Sequence, residues 1–343
     1  IFILYPHQLS KKVKLNENYE QSHCILVHDL FPFEIPEIYI KRENNNTLNN
    51  NIVNVNNFIE NLLTFDIHIL LYPSYKMYNL PLKKIIYIKL NHLKQYKYKD
   101  NTKINKNTIL YPAHQCQFRK NIKSLNDTLN YYNLDTKILI SGSDKVPSYD
   151  KKQLLELKSN KNKNLQFLNY LEKNEYYDLA SNVTGFIYPS IAEGGCFILE
   201  ELIMLYKPIA INNYKNLFLS IIELIGLKLS EKIQKQIFFT NKYKFEKDCE
   251  INKLLKTNFE GIYDKNFILN EICKLYLPTI RVYDSNSLES TKKSIDWINN
   301  FKLEEEHKKK INNIYENCKE EINIINNNEI SEYKSDIDKL INY

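Results

Sequence analysis

Two carboxylates and a pair of glycines stand close together in this 343-residue chain. Glu193 directly precedes Gly194-Gly195, and Glu201 lies eight residues after Glu193. The glycine pair permits a tight turn, and residues 196–206 have the apolar spacing of a helix. We interpret the stretch as a turn that leads into a helix, whose amino terminus can face a phosphate. Both carboxylates then point toward the ligand-facing end of a sheet.

The segments on either side of this turn and helix predict two strands. Residues 185–189 form a short apolar run before the turn, and residues 209–211 form another after the helix. Lys207-Pro208 ends the helix, because proline cannot continue it. Strand, turn, helix and strand together make one α/β unit.

The same residues resemble the donor-binding signature of family 4 glycosyltransferases, which are retaining enzymes of the GT-B fold. The signature runs Pro-Ser, Glu-Gly, a second Glu and then Lys-Pro before a strand. Here it reads Pro189-Ser190, Glu193-Gly194-Gly195-Cys196-Phe197, Glu201 and Lys207-Pro208. The chain departs from it at Ile198, where proline is usual, and at Tyr206, where a small residue, often glycine, is usual. Glu200 adds another carboxylate, but the spacing to Lys207-Pro208 favours Glu201.

A second motif lies earlier in the chain and resembles the start of the nucleotide-binding domain in a subset of that family. It consists of Tyr111-Pro112-Ala113-His114-Gln115 and Phe118-Arg119-Lys120-Asn121. The resemblance implies that Lys120 contacts the donor diphosphate, and that Arg119 does so less directly. A lysine at a strand-to-helix turn can neutralise a leaving diphosphate. Gly142, after a predicted core strand, is either a simple turn residue or a position beside the donor phosphates.

A third and shorter resemblance concerns the region before residue 40. Val27-His28-Asp29-Leu30-Phe31-Pro32 resembles the His-Asp-Leu-x-Pro segment of the family. The resemblance implies that His28 approaches the donor sugar from the N-terminal domain. Only 27 residues precede His28 and none is glycine, whereas the family has a glycine-rich loop there. We therefore expect an N-terminal domain that is either truncated or rebuilt around a shorter sheet.

The order of predicted elements indicates an α/β protein. Residues 1–108 form a short N-terminal domain, with an Asn-rich, low-complexity insertion at about 43–57. Its predicted strands are residues 1–4, 24–28, 67–71 and 85–88. From residue 108 onward, predicted strands at 108–111, 137–140 and 165–171 alternate with predicted helices at 120–132, 151–158 and 175–181. This alternation is typical of a parallel, doubly wound sheet with ligands at the strand carboxyl ends.

The C-terminal domain is predicted to span residues 109–300. Residues 214–277 look mostly helical and form an insertion relative to the family. A strand at 280–283 and a helix from about Leu288 follow, and residues 301–343 are predicted to be a charged, solvated helical tail.

The composition of the chain argues against some classes of function but does not identify the function. The net charge of +6 is compatible with anionic ligands or peripheral contact with anionic lipid, and no nucleic-acid motif accompanies it. The six cysteines are dispersed, without a CxxC pair or a histidine at metal spacing. This pattern favours a reducing, cytoplasmic location and argues against structural zinc. The chain opens with Ile1, which is compatible with a fragment or a trimmed product.

Together the resemblances imply two Rossmann-like domains facing across a cleft and transfer of a sugar from a nucleotide-sugar donor. The configuration at the anomeric carbon would be retained, no metal cofactor would be needed, and the acceptor would be the hydroxyl of a glycan, lipid or protein. The implied catalytic residues are His28, Lys120 and Glu193. The implied donor-binding residues are Arg119, Gly142, Gly194, Gly195, Cys196, Phe197 and Glu201. The alternative is a weak or inactive GT-B-like scaffold that needs an upstream segment or a partner.

Overall fold

The computed structural model describes 13 stretches of the chain. They are residues 24–27, 60, 62–70, 84–87, 105–113, 118–142, 148–159, 162–191, 197–214, 225, 242–245, 250–256 and 260–316. The chain forms two compact units, one of Ile1–Tyr96 with Ile311–Tyr343 and one of Lys97–Lys310.

The first unit contains a three-stranded parallel sheet. Its strands are β1 (Cys24–Val27), β2 (Ile67–Leu70) and β3 (Lys84–Tyr87), in the order β1-β2-β3. They confirm three predicted strands of this region. Buried Phe65 and Leu62 lie just before β2. The predicted strand at 1–4 and the Asn-rich segment at 43–57 lie outside the described residues.

The second unit is built on a six-stranded parallel sheet in the order β11-β8-β7-β4-β5-β6. The strands are β4 (Asn105–Pro112), β5 (Lys137–Ser141), β6 (Leu165–Phe167), β7 (Val183–Tyr188), β8 (Ile209–Asn212) and β11 (Ile280–Tyr283). Their apolar side chains are almost fully buried, apart from half-buried Phe167 at the end of β6, as expected for a sheet with helices on its faces. The prediction of a parallel, doubly wound α/β sheet is confirmed.

Seven helices have defined bounds in this unit's described residues. They are α1 (Ile122–Tyr131), α2 (Ser148–Ser159), α3 (Lys173–Asn182), α4 (Phe197–Ile203), α5 (Glu250–Leu255), α6 (Lys265–Tyr276) and α7 (Leu288–Asn300). All strands and helices predicted between residues 108 and 213 are present, with bounds that differ by up to four residues.

Helix α4 is shorter than the predicted helix at 196–206. After α4, the chain continues for three residues with i→i−3 hydrogen bonds. The last of these bonds joins Tyr206 N to the Ile203 carbonyl at 3.2 Å. Tyr206 then adopts a left-handed conformation with φ of 54°. A residue of this conformation typically terminates a helix, and the chain enters β8 directly afterwards.

The insertion at 214–277 contains strands that the sequence did not predict. Strand β9 (Lys242–Phe245) pairs antiparallel with β10 (Gly261–Asp264), while α5 and α6 supply the predicted helical part. Each strand has only four residues: Lys242-Tyr243-Lys244-Phe245 alternates between polar and apolar residues, whereas Gly261-Ile262-Tyr263-Asp264 does not. The pairing depends on contact between segments that are separated in the chain.

The strand order reverses between β4 and β7. From β4 the chain adds β5 and β6 on one side, and it then returns to place β7 on the other. In doubly wound sheets, ligands bind at such a switch point, outside the carboxyl ends of the strands. The segments that follow β4 and β7 are therefore the first place to look for a site.

Candidate functional site

A buried tyrosine connects the two segments at the switch point. The hydroxyl of Tyr111, in β4, donates to the Lys120 carbonyl at 3.0 Å and lies 2.6 Å from Ser190 Oγ. A phenol has one hydrogen, so Ser190 is the donor in the second bond. Tyr111 and Ser190 are both 0% exposed, so the bonds are shielded from water.

A backbone hydrogen bond joins the same two segments. Ile191 N, after β7, donates to the Arg119 carbonyl at 2.8 Å. The structure thus brings together the segment that carries Arg119-Lys120 and the one that begins with Pro189-Ser190. These are the two motifs that the sequence placed at one site.

Polar side chains extend this connection to β8 and β11. Asn212 Nδ2 donates to the Ser190 carbonyl at 3.0 Å, and Ser285 N donates to Asn212 Oδ1 at 2.9 Å. Asn121 Nδ2 donates to Ser285 Oγ at 3.0 Å. We call Tyr111, Ser190, Asn212, Ser285 and Asn121 the carboxyl-edge network. Each of these bonds satisfies a polar group that burial would otherwise leave unpaired at a cost in free energy.

Lys120 stands at the end of a short 3-10 turn, Phe118–Lys120, directly before α1. It is only 9% exposed, whereas Arg119 is half-buried. The next residue, Asn121, has φ of 49° and ψ of 37°, a left-handed conformation that redirects the chain into α1. Its carbonyl accepts from both the backbone and the hydroxyl of Ser124, at 3.1 and 2.9 Å. Lys120 is therefore held between a fixed turn and a fixed helix start.

Glu201 lies in α4 and is half-buried. Its Oε2 accepts a short hydrogen bond from the hydroxyl of Tyr177, in α3. The bond connects the helices that precede and follow β7. Tyr177 has no counterpart in the sequence motif and was not predicted.

Gly142 directly follows β5 and has φ of 146°, which favours glycine. Beside it, Ala113 N donates to the Ser141 carbonyl at 2.8 Å, which ties the chain after β4 to the end of β5. The conformation explains why glycine stands here whether or not a phosphate lies beside it.

Several of the predicted site residues lie outside the part of the chain that the structure describes. His28, Glu193, Gly194, Gly195 and Cys196 lie outside the described residues, although His28 immediately follows β1 in sequence. Phe197 is the first residue of α4, and its side chain is also outside the description.

The lysine of the Lys-Pro motif lies at the opposite edge of the sheet. Lys207 precedes β8, and its Nζ donates to the Val183 carbonyl, at the start of β7, at 2.6 Å. Burial lowers the pKa of Lys207 to about 8. The amino ends of β7 and β8 are thus joined here, so this part of the motif supports the sheet.

Three site residues were not predicted from the sequence: Asn212 and Ser285, of the carboxyl-edge network, and Tyr177. Asn121 belongs to the Lys120 motif, but no role was predicted for it. Ser285 belongs to an Asp-Ser-Asn turn after β11, so its position at the end of a strand was an available signal. Asn212 had the weaker signal of a polar residue ending a buried strand.

The described part of the chain also bears on metal binding and membrane insertion. No group of three or more His, Cys, Asp or Glu side chains there could hold a metal ion. No helix among the described residues is long and apolar enough to cross a membrane. Metal independence stays a prediction.

Comparison with solved structures shows the fold. Sucrose-phosphate synthase from Thermosynechococcus elongatus aligns with a TM-score of 0.51 at 11% identity, over 87% of this chain and 65% of that one. The chain has a GT-B-like fold. No protein-family model and no curated protein sequence matches it.

Two further structures align less well. A glycosyltransferase from Rickettsia africae ESF-5 has a TM-score of 0.47 at 13% identity, over 89% of this chain and 71% of that one. TarM has a TM-score of 0.39 at 12% identity, over 88% of this chain and 51% of that one. The likeness to the synthase carries the fold, and the chain spans 65% of the length of the synthase and 51% of the length of TarM.

Proposed function

We propose that this chain is a glycosyltransferase that binds a nucleotide sugar at the carboxyl edge of the six-stranded sheet. It transfers the sugar to a hydroxyl group of a glycan, lipid or protein with retention of anomeric configuration. The GT-B-like fold supports glycosyl transfer in general, and the donor-binding motifs support the binding of a nucleotide sugar at this edge.

One observation carries the proposal. The segments that resemble the two halves of a donor-binding signature meet at the switch point of the sheet, through the Tyr111–Ser190 and Ile191–Arg119 hydrogen bonds. The motifs were recognised separately, and 70 residues lie between Lys120 and Ile191 in the sequence. Their meeting at the expected ligand-binding edge supports a common ligand.

The proposed chemistry is a dissociative displacement. The bond between the anomeric carbon and the diphosphate oxygen breaks, and an oxocarbenium-like centre forms. The acceptor oxygen then bonds to the same face, and its proton passes to the departing diphosphate. Fixed positive charge stabilises the negative charge that develops on that leaving group. We assign this role to Lys120, with Arg119 as its neighbour.

The remaining roles follow the resemblance. Glu193 would hold sugar hydroxyls, and His28 would approach the sugar. Glu201 would accept hydrogen bonds from the ribose, for which a carboxylate has two acceptor oxygens. The backbone N–H groups of residues 194–197 and the backbone at Gly142 would line the phosphates. Fixed charge replaces a divalent ion in this scheme, so no metal is needed.

The test is binding and turnover of a panel of nucleotide sugars. At least one of the UDP-, GDP-, ADP- and CDP-sugars should raise the melting temperature of the chain and be cleaved slowly to the nucleoside diphosphate. Lys120→Ala should lower the rate of cleavage by roughly 100-fold or more. Lys123→Ala is the matched control, because Lys123 is an exposed lysine of α1 paired with Asp127.

The outcomes separate the two candidate functions. Binding with neither cleavage nor transfer would indicate the nucleotide-sugar-binding scaffold instead of the enzyme. If no nucleotide sugar binds, our assignment of a donor site to this edge of the sheet is wrong.

A further inference from the structure

We propose that Tyr177 orients the carboxylate of Glu201 toward the ribose of the nucleotide and thereby strengthens recognition of the ribose hydroxyls. The inference rests on the proposed function, since it assumes that Glu201 faces the ribose. Tyr177 is a positioning residue in this scheme, because it acts on the ligand through Glu201.

The first support is the hydrogen bond itself. The Tyr177 hydroxyl donates to Glu201 Oε2 across 24 residues of sequence, and both residues are half-buried. A bond from a hydroxyl to an ionised carboxylate is shorter and stronger than one between neutral groups. It therefore restricts the rotation of a glutamate side chain, which otherwise has three rotatable bonds.

The second support is that the phenol ring is itself held in place. The rings of Tyr177 and Tyr176 meet edge to face, with centroids 5.2 Å apart and an interplanar angle of 76°. Tyr176 is 9% exposed, so it belongs to the core of the unit. The order of the core thus extends through Tyr176 and Tyr177 to the carboxylate, as a preorganised site requires.

The third support is the number of acceptor positions. A carboxylate offers about four lone-pair positions on two oxygens. Among the described residues, Tyr177 occupies one of them on Oε2, which leaves Oε1 and a second position on Oε2. Two neighbouring hydroxyls, such as those of a ribose, can be bound by the positions that remain.

The structure also allows a simpler role, in which the bond only fastens α3 to α4. The two roles differ in what they do to ligand selectivity. A fastening bond affects all nucleotides alike, whereas an orienting bond affects only nucleotides that carry ribose hydroxyls.

The experiment measures dissociation constants by calorimetry for UDP, GDP, ADP and CDP, and for the 2′,3′-dideoxy form of whichever binds best. Tyr177→Phe should weaken binding of the ribonucleotide by about 2- to 12-fold, because the ligand must now order the glutamate. Binding of the dideoxy nucleotide should stay as in the unsubstituted chain. The readout is the ratio of the dissociation constant of the ribonucleotide to that of the dideoxy nucleotide.

Two further variants make the result specific. In a Glu201→Ala background, Tyr177→Phe should leave the ratio unchanged, because no carboxylate remains to orient. Tyr283→Phe is the matched control: it removes another tyrosine hydroxyl, one that is buried and has no hydrogen-bond partner among the described residues. Its ratio should equal that of the unsubstituted chain.

The failure of this inference can be told apart from that of the proposed function. If a ribonucleoside diphosphate binds and Tyr177→Phe weakens both forms equally or neither, the orienting role is overturned and the donor site stands. If none of the four diphosphates binds the unsubstituted chain, the proposed function falls and this inference falls with it.

Discussion

Gly185 and Pro208 approach so closely that no side chain fits between them. A Cβ atom at Gly185, in β7, would lie 2.5 Å from the Pro208 carbonyl oxygen, 2.8 Å from the Pro208 ring and 2.7 Å from a methyl group of Ile298, in α7. The same carbonyl accepts a hydrogen bond from Phe186 N at 2.9 Å. The Lys-Pro segment is therefore packed directly against the strand that leads to the candidate site.

The first prediction concerns this contact. Gly185→Ala should lower the free energy of unfolding by about 1–3 kcal/mol, because the backbone of one segment must shift to admit the methyl group. Chemical denaturation followed by circular dichroism measures the change. Ile298→Val should not restore stability, because valine keeps the Cγ2 methyl group that lies in the way and the Pro208 carbonyl oxygen also remains. An alanine variant as stable as the parent would show that β7 and Pro208 lie farther apart.

The second prediction compares two buried tyrosines. Tyr111→Phe should destabilise the chain by about 1–3 kcal/mol, because it removes the buried hydroxyl that bonds both Ser190 Oγ and the Lys120 carbonyl. Tyr283→Phe should leave stability unchanged or slightly higher, since its hydroxyl is buried without a hydrogen bond to any described residue. Equal effects of the two changes in denaturant titrations would contradict the importance of the carboxyl-edge network.

The third prediction tests the left-handed residue that closes α4. Tyr206→Gly should be more stable than Tyr206→Ala by about 1 kcal/mol, because an alanine Cβ is strained at φ of 54°. Both variants lose the tyrosine ring, so their difference isolates the backbone. At exposed Glu156, inside α2, the order should reverse and alanine should be the more stable. Thermal unfolding of the four variants provides the comparison.

The fourth prediction follows from the lowered pKa of Lys207. Burial holds it at about 8, whereas the unfolded chain keeps the ordinary value of 10.5. Between these values the unfolded state binds more protons, so this lysine makes the chain more stable as pH rises from about 8 to 10.5. The gain is at most about 3 kcal/mol. Below pH 8 both states are charged and the contribution is constant.

Lys207→Met provides the measurement for that effect. The difference in unfolding free energy between parent and variant should move in favour of the parent across pH 8–10.5, while other titrating groups cancel. A difference that stays flat over this range would mean that the Lys207 amine is as well solvated as an exposed lysine.

The fifth prediction is metal independence. Cleavage of the nucleotide sugar should survive EDTA, whereas Lys120→Ala should lower turnover by roughly 100-fold or more, as does loss of one charge-stabilising donor in other enzymes. Activity is measured by release of nucleoside diphosphate, before and after addition of manganese or magnesium. Loss on chelation with recovery on adding metal would overturn the fixed-charge mechanism.

The strands of the six-stranded sheet were predicted well, because each is marked by a local pattern of apolar residues in the sequence. Residues 209–211 are a short apolar run after Pro208, residues 280–283 are three apolar or aromatic residues and Arg281 between Thr279 and Asp284, and the structure has strands at both. The antiparallel pair β9–β10 was missed because the alternation in β9 extends over only four residues, β10 shows none, and the pairing joins segments that are separated in the chain.

The candidate site was predictable only in part. Lys120 and Ser190 lie in motifs, and the structure brings their segments together. Asn212 and Ser285 lie in no motif, and their hydrogen bond depends on β8 and β11 being neighbours. The partnership of Tyr177 with Glu201 likewise depends on the packing of two helices. Spacing in the sequence cannot supply such information. It determines which residues are neighbours along one helix or strand, but not which residues of two different elements come into contact.

The Asn121–Ser285 hydrogen bond also constrains the order in which the site can be completed. These residues are separated by 164 positions. During synthesis, a nascent chain that has emerged only as far as β8 holds Lys120, Ser190 and Asn212 but lacks the partner that completes their connection. The carboxyl edge can close only after β11 has been translated and has docked beside β8. Prematurely terminated chains therefore lack the finished site even where both donor-binding motifs are present.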